Sequence, residues 1–423
     1  MKHKIEKIKL ANGATLINVM VKNLPITIVS AWFKAGSRFD LDGKEGTAHL
    51  LKHLLIKKTK KYANTIERLR DIEANGIKFN AFTSYETAHY YYTQPKNETY
   101  KALDFMIDGL ENYAFSDADI DDEKKAVINE LMEHKGNPNE YIWELSNASL
   151  WDGLSMGKQF FGNKKSIKSI SRKVLQYFID KYYGSENCSF LIVGDVDTKK
   201  IEKYLNDTVS LKHSNQVSFT KNESGSPKKI SITKNDASQV TISIAFKTPS
   251  INADLLDIAT VDFIRDYFAN NWTSRFVEEL RIKKNIAYWV DGATANFSDT
   301  GMLRFTFTCN KKNVSETINI LLNEIKKIKN IPIDEIELAM HKKSFLLSMT
   351  LRFVDPYEYL WWYGWQTAVS DGKRMVDIEE YTKTIQGIGV KDISRVALKY
   401  LNKENISISM IGDVKKCDLS IEM

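Results

Sequence analysis

KYYGSENCSFLIVGDVD, Lys181 to Asp197, returns as KYLNKENISISMIGDVK, Lys399 to Lys415, at a fixed offset of 218 residues. Tyr182 matches Tyr400, Glu186 matches Glu404, Asn187 matches Asn405, and both segments close on Gly-Asp-Val at Gly194 and Gly412. Each copy predicts the end of a helix, a short Asn-bearing turn and a buried apolar strand stopped by a glycine. Upstream, Ile-Ser-Arg at Ile170 recurs at Ile393 with an offset of 223, which predicts a five-residue difference in the intervening helix and loop. Agreement of sequence, order and spacing over such a distance marks an internal duplication.

Outward from these segments, each half carries another apolar strand near its start, ITIVSAWFKAGS (Ile26 to Ser37) and VTISIAFKTPS (Val240 to Ser250), and a helix follows each. The polar stretch KHSNQVSFTKNESGSP, Lys212 to Pro227, has the composition of a linker. A chain of 423 residues is longer than one hydrophobic core usually serves. We therefore read two homologous α+β domains, residues 1–215 and 229–423, joined by a linker at 216–228.

Composition narrows the class. With 43% hydrophobic and 27% charged residues the chain has the balance of a folded protein. Sixty Lys and Arg against 54 Asp and Glu leave a formal charge of +6, spread without a long basic tail. That mild surplus suits acidic peptides and argues against nucleic acid as a partner. Cys188, Cys309 and Cys417 are far apart and lack CxxC spacing, so a disulfide framework or a cysteine zinc site is excluded and a reducing compartment is indicated. No signal-peptide core and no apolar run of about eighteen residues occurs, so no membrane span is expected and the location reads as cytoplasmic.

Chemistry concentrates in GTAHLLKHLLIKKTKKY, Gly46 to Tyr62. His49 and His53 are four apart, so on a helix they share one face and can share a metal ion. Leu50, Leu51, Leu54 and Leu55 anchor the same helix in a core. Taken alone, two histidines at that spacing more often have a surface or capping role. A third ligand must come from elsewhere, and DDEKKAVINELMEHKGNP offers Glu123, Glu130 and Glu133. Glu123 and Glu130 are two turns apart on one face, where a carboxylate could complete a His-His-Glu site; an ordinary exposed acidic helix face is the alternative.

HLLKH, the downstream acidic pair, NAFTSYETAHYYY and the duplicated Gly-Asp-Val strand occur together and in order. In that combination the chain resembles the pitrilysin/insulinase metallopeptidases, most closely the short two-domain, mitochondrial-processing-peptidase-like members, over nearly its whole length. The resemblance implies two duplicated domains, each a mostly antiparallel sheet packed with helices. It also implies zinc held by His49, His53 and Glu130, with Glu123 supporting them from behind. The family's motif is HxxEH, whose glutamate activates water. Here Lys52 stands in that place. An ammonium cannot accept a proton, and a lysine kept neutral at pH 7 costs roughly 4 kcal/mol. The lone chain is therefore expected to be inactive as a peptidase, whether or not it binds zinc.

Other family elements are retained. Asn80, Ala81, Phe82 and Thr83 correspond to an edge strand that pairs with extended substrate peptide, although a plain core strand has the same residue pattern. His89 lies beyond that motif and is expected to be a hydrogen-bonded structural residue. Arg281 and Tyr288, seven apart, resemble the arginine and tyrosine that reach substrate beside the zinc; the alternative is pairing of Arg281 with Glu278 or another helix carboxylate, with Tyr288 merely starting a strand. In some bacterial pairs of this family one chain brings HxxEH and zinc and the other brings the arginine and tyrosine. By that resemblance this chain is a non-catalytic subunit of a heterodimeric zinc metallopeptidase, acting on a peptide substrate with a homologous HxxEH-bearing partner. The competing readings are a purely architectural or lone peptide-binding relative, and a lysine-based peptidase. Trp361, Trp362 and Trp365 in DPYEYLWWYGWQTAV recur at helical spacing and fit either an interface or packing on their own domain's sheet.

Overall fold

The computed structural model describes residues 3–215, 217, 225–234, 238–370 and 372–414, so most of the expected linker lies outside the described residues. The chain begins β1 (His3–Lys9), β2 (Thr15–Val21), β3 (Ile26–Phe33), α1 (Thr47–Leu55), α2 (Thr65–Ala74), β4 (Lys78–Thr83), β5 (Ala88–Pro95), α3 (Thr99–Glu111) and α4 (Asp117–Gly136). It continues through α5 (Pro138–Leu150), α6 (Lys164–Ser169), α7 (Arg172–Tyr182), β6 (Cys188–Gly194), α8 (Thr198–Thr208), β7 (Ile230–Thr233), β8 (Gln239–Thr248) and α9 (Leu255–Phe268). A short α10 (Arg275–Val277) runs directly into a π-helical turn, Glu278–Lys283. Then come β9 (Ala287–Asn296), β10 (Gly301–Asn310), α11 (Val314–Asn330), α12 (Glu335–Arg352), α13 (Pro356–Val369), α14 (Ile378–Gly387), α15 (Val390–Tyr400) and β11 (Ile406–Ile411).

Two sheets result, with strand orders β1-β2-β6-β3-β5-β4 and β7-β11-β8-β10-β9. Apart from the parallel pairs β2/β6 and β7/β11, every ladder is antiparallel. Deleting β1 makes the two orders superimposable, with β6 matching β11, β3 matching β8 and β5 matching β10. The duplication read from the sequence is thus a duplication of topology, α+β in both copies.

The repeat's local physics also agrees. Asn187 Nδ2 donates to the Tyr182 carbonyl at 2.7 Å, and Asn405 Nδ2 to the Tyr400 carbonyl at 3.2 Å, so each Asn satisfies a carbonyl left open at a helix C-terminus. The Ile-Ser-Arg match is different. α7 and α15 have equal length and are related by the same offset of 218 as the strands, so no five-residue difference intervenes. Ile170 ends α6 and Ile393 lies inside α15; each is a buried apolar residue, and the tripeptide recurs by coincidence.

The chain forms two compact units. The first comprises Met1–Met132, Lys158–Ser218 and Leu351–Met375; the second comprises Glu133–Gly157, Phe219–Thr350 and Val376–Met423. Compact units and chain halves therefore differ by two exchanged segments, one carrying α5 and the other α13. The two helices are themselves repeat equivalents, because NPNEYIW (Asn137 to Trp143) and DPYEYLW (Asp355 to Trp361) keep the offset of 218.

In the first unit α1, α3, α7 and α8 cover one face of the sheet around Leu50, Leu54, Phe33, Tyr90 and Phe190. α13 covers the other face, over β3 and β6. Trp361 of α13 thus packs on the sheet built by the first half of the chain, not on that of its own half. Gly364 makes this possible, since a Cβ there would lie 2.3 Å from the Trp32 indole. In the second unit α9, α11 and α15 take one face and α5 takes the other. That second seam is polar, with Ser243 Oγ bonded to Ser146 Oγ at 2.9 Å and Thr241 Oγ1 to Asn139 Oδ1 at 3.1 Å.

Candidate metal centre and peptide edge

α1 is fixed at its start by Asp40, whose carboxylate accepts from Gly46 N at 2.7 Å and Ala48 N at 2.9 Å. Gly46 has φ +94°, and a Cβ on it would lie 2.5 Å from the Phe161 carbonyl oxygen, so only glycine allows the loop around Phe161 to close on the helix. Leu50, Leu51, Leu54 and Leu55 are buried, which turns His49 and His53 toward α4.

Four of the singled-out side chains meet there. Glu130 Oε2 lies 3.1 Å from His49 Nε2 and 3.3 Å from His53 Nε2. His49, His53 and Glu130 each present a ligand atom within 4.8 Å of the others. Behind them, His53 Nδ1 is 2.9 Å from Glu123 Oε1, and Lys57 holds the other oxygen of Glu123. His49 Nδ1 is 3.3 Å from Thr83 Oγ1. Two imidazoles and one carboxylate, each imidazole held through its second nitrogen, form a donor set that fits a zinc ion. Glu133 falls in the other compact unit and is not among the three.

Burial dominates the titration of His49, lowering its pKa to about 4; Lys52 and His53 add to this against Glu130, and the ring stays neutral at pH 7. For His53 burial opposes protonation, but hydrogen bonds from Glu123 and Glu130 outweigh it and raise the pKa. Burial alone would lift Glu130, yet both histidines and Lys52 bring its carboxyl well below the usual range. Lys52 is half-buried on the same helix, and burial lowers its pKa while Glu130 and Glu123 resist. Among the described residues no carboxylate comes within ion-pair distance of its amine. The structure adds Phe160 and Phe161 to this site, with ring centroids 5.9 and 4.7 Å from that of His49. Their only trace in the sequence was an aromatic pair before Gly162.

β4 carries Asn80 to Thr83 and ends its sheet among the described residues. Ala81 and Thr83 are buried, while Asn80 and Phe82 are exposed on the opposite face. The Ala81 amide is covered by its neighbour's own side chain, Asn80 Oδ1, at 2.8 Å. His89 departs from expectation. It is buried and stacked on Trp32 with centroids 3.8 Å apart, but neither ring nitrogen has a hydrogen-bond partner among the described residues. Rings enclose it on several sides, so its contacts are aromatic rather than polar.

Arg281 and Tyr288 belong to the second unit. Arg281 sits in the π-helical turn, and its guanidinium lies over the ring of Trp272 at 4.1 Å. Glu278, the anticipated alternative partner, is engaged by Lys283 at 2.7 Å. Tyr288 is the second residue of β9, and its side chain lies outside the described residues. No helix among the described residues is long and apolar enough to cross a membrane.

Comparison with known proteins agrees with this geometry. Residues 20–164 match the family model described as insulinase (peptidase family M16), and residues 169–345 match the peptidase M16 inactive domain. The chain is 28% identical over 352 residues to an uncharacterized zinc protease of Rickettsia bellii, covering 80% of this chain and 82% of that one. It is 23% identical over 401 residues to the human mitochondrial-processing peptidase subunit beta, covering 92% and 80%. A protease from Helicobacter pylori shares the fold, with TM-score 0.87 at 20% identity over 97% of this chain and 99% of that one. With both models matched in order across most of its length, this chain belongs to the insulinase, or pitrilysin, family of peptidases.

Proposed function

We propose that the chain is the non-catalytic subunit of a two-chain zinc metallopeptidase, bringing Arg281, Tyr288 and a peptide-holding edge to a homologous partner with an intact HxxEH. The observation that carries this reading is Lys52, which occupies the base position of a helix whose His49 and His53 still meet Glu130. An ammonium at that point can donate a hydrogen bond but cannot take a proton from an attacking nucleophile. Zinc, when bound, supplies a positive centre that polarises a peptide carbonyl. His49, His53 and Glu130 hold it, Glu123 and Thr83 set the ring orientations, and β4 offers its open backbone edge to an extended peptide. Arg281, steadied on Trp272, supplies fixed donors for a peptide carbonyl, and Tyr288 a hydroxyl for the oxyanion of the partner's reaction. The name of the human relative, a subunit of a processing peptidase, supports a paired arrangement. The buried free thiols of Cys188 and Cys309 suit a reducing, cytoplasmic setting.

The test is cleavage of a quenched fluorescent peptide by this chain, by an HxxEH partner from the same source, and by the two together. Activity that needs both chains and is lost in Arg281→Ala establishes the shared site. Activity of the pair unaffected by Arg281→Ala leaves an architectural or peptide-binding role. Zinc-dependent cleavage by the lone chain overturns the assignment of Lys52.

A further inference from the structure

α3 carries Lys101, Asp104, Phe105 and Asp108 along one face, three or four residues apart. Lys61 and Tyr62, from the loop between α1 and α2, stand opposite them. Together they line a cavity of about 270 Å³ that shares no residue with the metal centre. That volume lies just below the usual range of small-molecule pockets and suits a ligand of one or two amino-acid residues. Its walls are fixed. The Tyr62 hydroxyl donates to Asp71, and the buried Arg68 guanidinium donates to the Phe105 carbonyl at 2.8 Å. A Cβ on Gly109 would lie 2.8 Å from the same guanidinium, so α3 is seated directly on Arg68.

Two ammonium groups and two carboxylates share this cavity without pairing. Among the described residues neither Lys61 nor Lys101 has a carboxylate within ion-pair distance, and neither Asp104 nor Asp108 has a basic partner. Three of the charges are held by other groups. Lys61 Nζ lies over the Tyr62 ring, 4.8 Å from its centroid, and Lys101 Nζ over the Phe105 ring at 5.5 Å. The Tyr204 hydroxyl donates to Asp104. Asp108 is left with Oδ2 buried and without a donor among the described residues, a cost that a donor on a ligand would relieve. Charge then decides the class of ligand. The carboxylates disfavour a lone anion such as phosphate, and the ammonium groups disfavour a metal ion. A molecule bearing both signs satisfies both. Lys101 and Asp108 are two helical turns apart, about 10 Å along the axis. The ends of an extended dipeptide are about 7 Å apart, so with a hydrogen bond at each end it reaches both, and a single amino acid does not.

We propose that this cavity binds a small zwitterionic peptide, a dipeptide by its length, with the ammonium on Asp108 and the carboxylate on Lys101 and Lys61. Side-chain identity matters little, because Tyr62 and Phe105 are themselves buried and offer little open ring to a ligand. The site does not rest on the two-chain peptidase reading. It adds a second class of ligand to the chain, peptides as short as the end products of peptide cleavage.

The experiment is isothermal titration calorimetry of the full chain with Ala-Ala, N-acetyl-Ala-Ala, Ala-Ala amide and free alanine, in the presence of a chelator so that no metal ion holds the peptide. The wild type is expected to bind Ala-Ala about tenfold more tightly than either blocked peptide or alanine, since each of these loses a hydrogen bond to a charged group. Asp108→Asn removes the penalty for acetylation and keeps that for amidation. Lys101→Met shrinks the penalty for amidation and keeps that for acetylation. Thermal melts verify that each variant is folded; should Asp108→Asn not fold, Lys101→Met carries the test. Ala-Ala binding that is unchanged in the folded variants, or equal to that of the blocked peptides in the wild type, overturns the site. So does a wild type that binds no Ala-Ala at millimolar concentration.

Discussion

The Nε2 atoms of His49 and His53 face one another at 3.1 Å, with a single oxygen of Glu130 close to both. Two ring nitrogens this close cannot both carry protons toward each other, so a lone pair, a shared proton or a cation must lie between them. Glu123 fixes a proton on His53 Nδ1, which directs the Nε2 lone pair inward.

One zinc ion per chain is therefore expected. Competition against a chromophoric chelator should show binding abolished in His49→Ala and weakened about 10- to 100-fold in Glu123→Ala, since the latter only orients a ligand. Equal affinity in wild type and His49→Ala would exclude this centre.

Replacing Lys52 with glutamate tests what silences the site. Lys52→Glu is expected to raise zinc-dependent peptide cleavage about 10²- to 10⁴-fold over the lone wild-type chain, the usual contribution of a placed general base. Lys52→Gln, which removes the charge without supplying a base, should stay inactive. A silent Lys52→Glu that still binds zinc would mean that more than the base has been lost.

His89 makes the fold acid-sensitive. Burial among rings lowers its pKa to about 3 in the folded chain, against about 6.5 when unfolded. Between those values the unfolded state binds the extra proton. Stability is thus intact above pH 6.5 and is lost on acidification toward pH 3, by up to about 1.4 kcal/mol per pH unit. Urea melts between pH 7 and 4 should show a shallower slope for His89→Phe than for the wild type. Parallel slopes would show that His89 is not the group responsible.

Gly364→Ala places a methyl 2.3 Å from the Trp32 indole, which is stacked on His89 and cannot move. A loss of about 1–3 kcal/mol is expected by chemical denaturation. Gly387→Ala is the matched control: nothing lies within 4 Å of that position, and the helix should be unchanged or slightly stabilised.

The sequence disclosed the duplication because Asn187 and Asn405, and the strands after them, do the same local work in both copies. Helical spacing and four buried leucines determined which way α1 turns His49 and His53, whereas the choice of Glu130 among the acidic residues of α4 came from the family resemblance. The sequence did not show where α5 and α13 pack. Their apolar faces specify that something is covered, and the choice of sheet depends on partners such as Gly364 with Trp32 and Ser146 with Ser243, which are distant in the chain. Phe160 and Phe161 escaped for the same reason. Their nearness to His49 follows from the positive φ of Gly46, and no periodicity reports it. Ile-Ser-Arg misled because three residues without spacing support are weak evidence of homology.

The placement of α13 has a consequence during synthesis. β3, β5 and β6 are complete once residue 194 has emerged, but the ring face of Trp32 and His89 is covered only by residues near 361. At about 5–20 residues per second the nascent chain carries that face open for roughly ten to thirty seconds. A ribosome stalled in the second half would thus hold out a hydrophobic sheet surface, and a chaperone able to shield aromatic side chains during that interval would decide how much of the chain reaches its folded state.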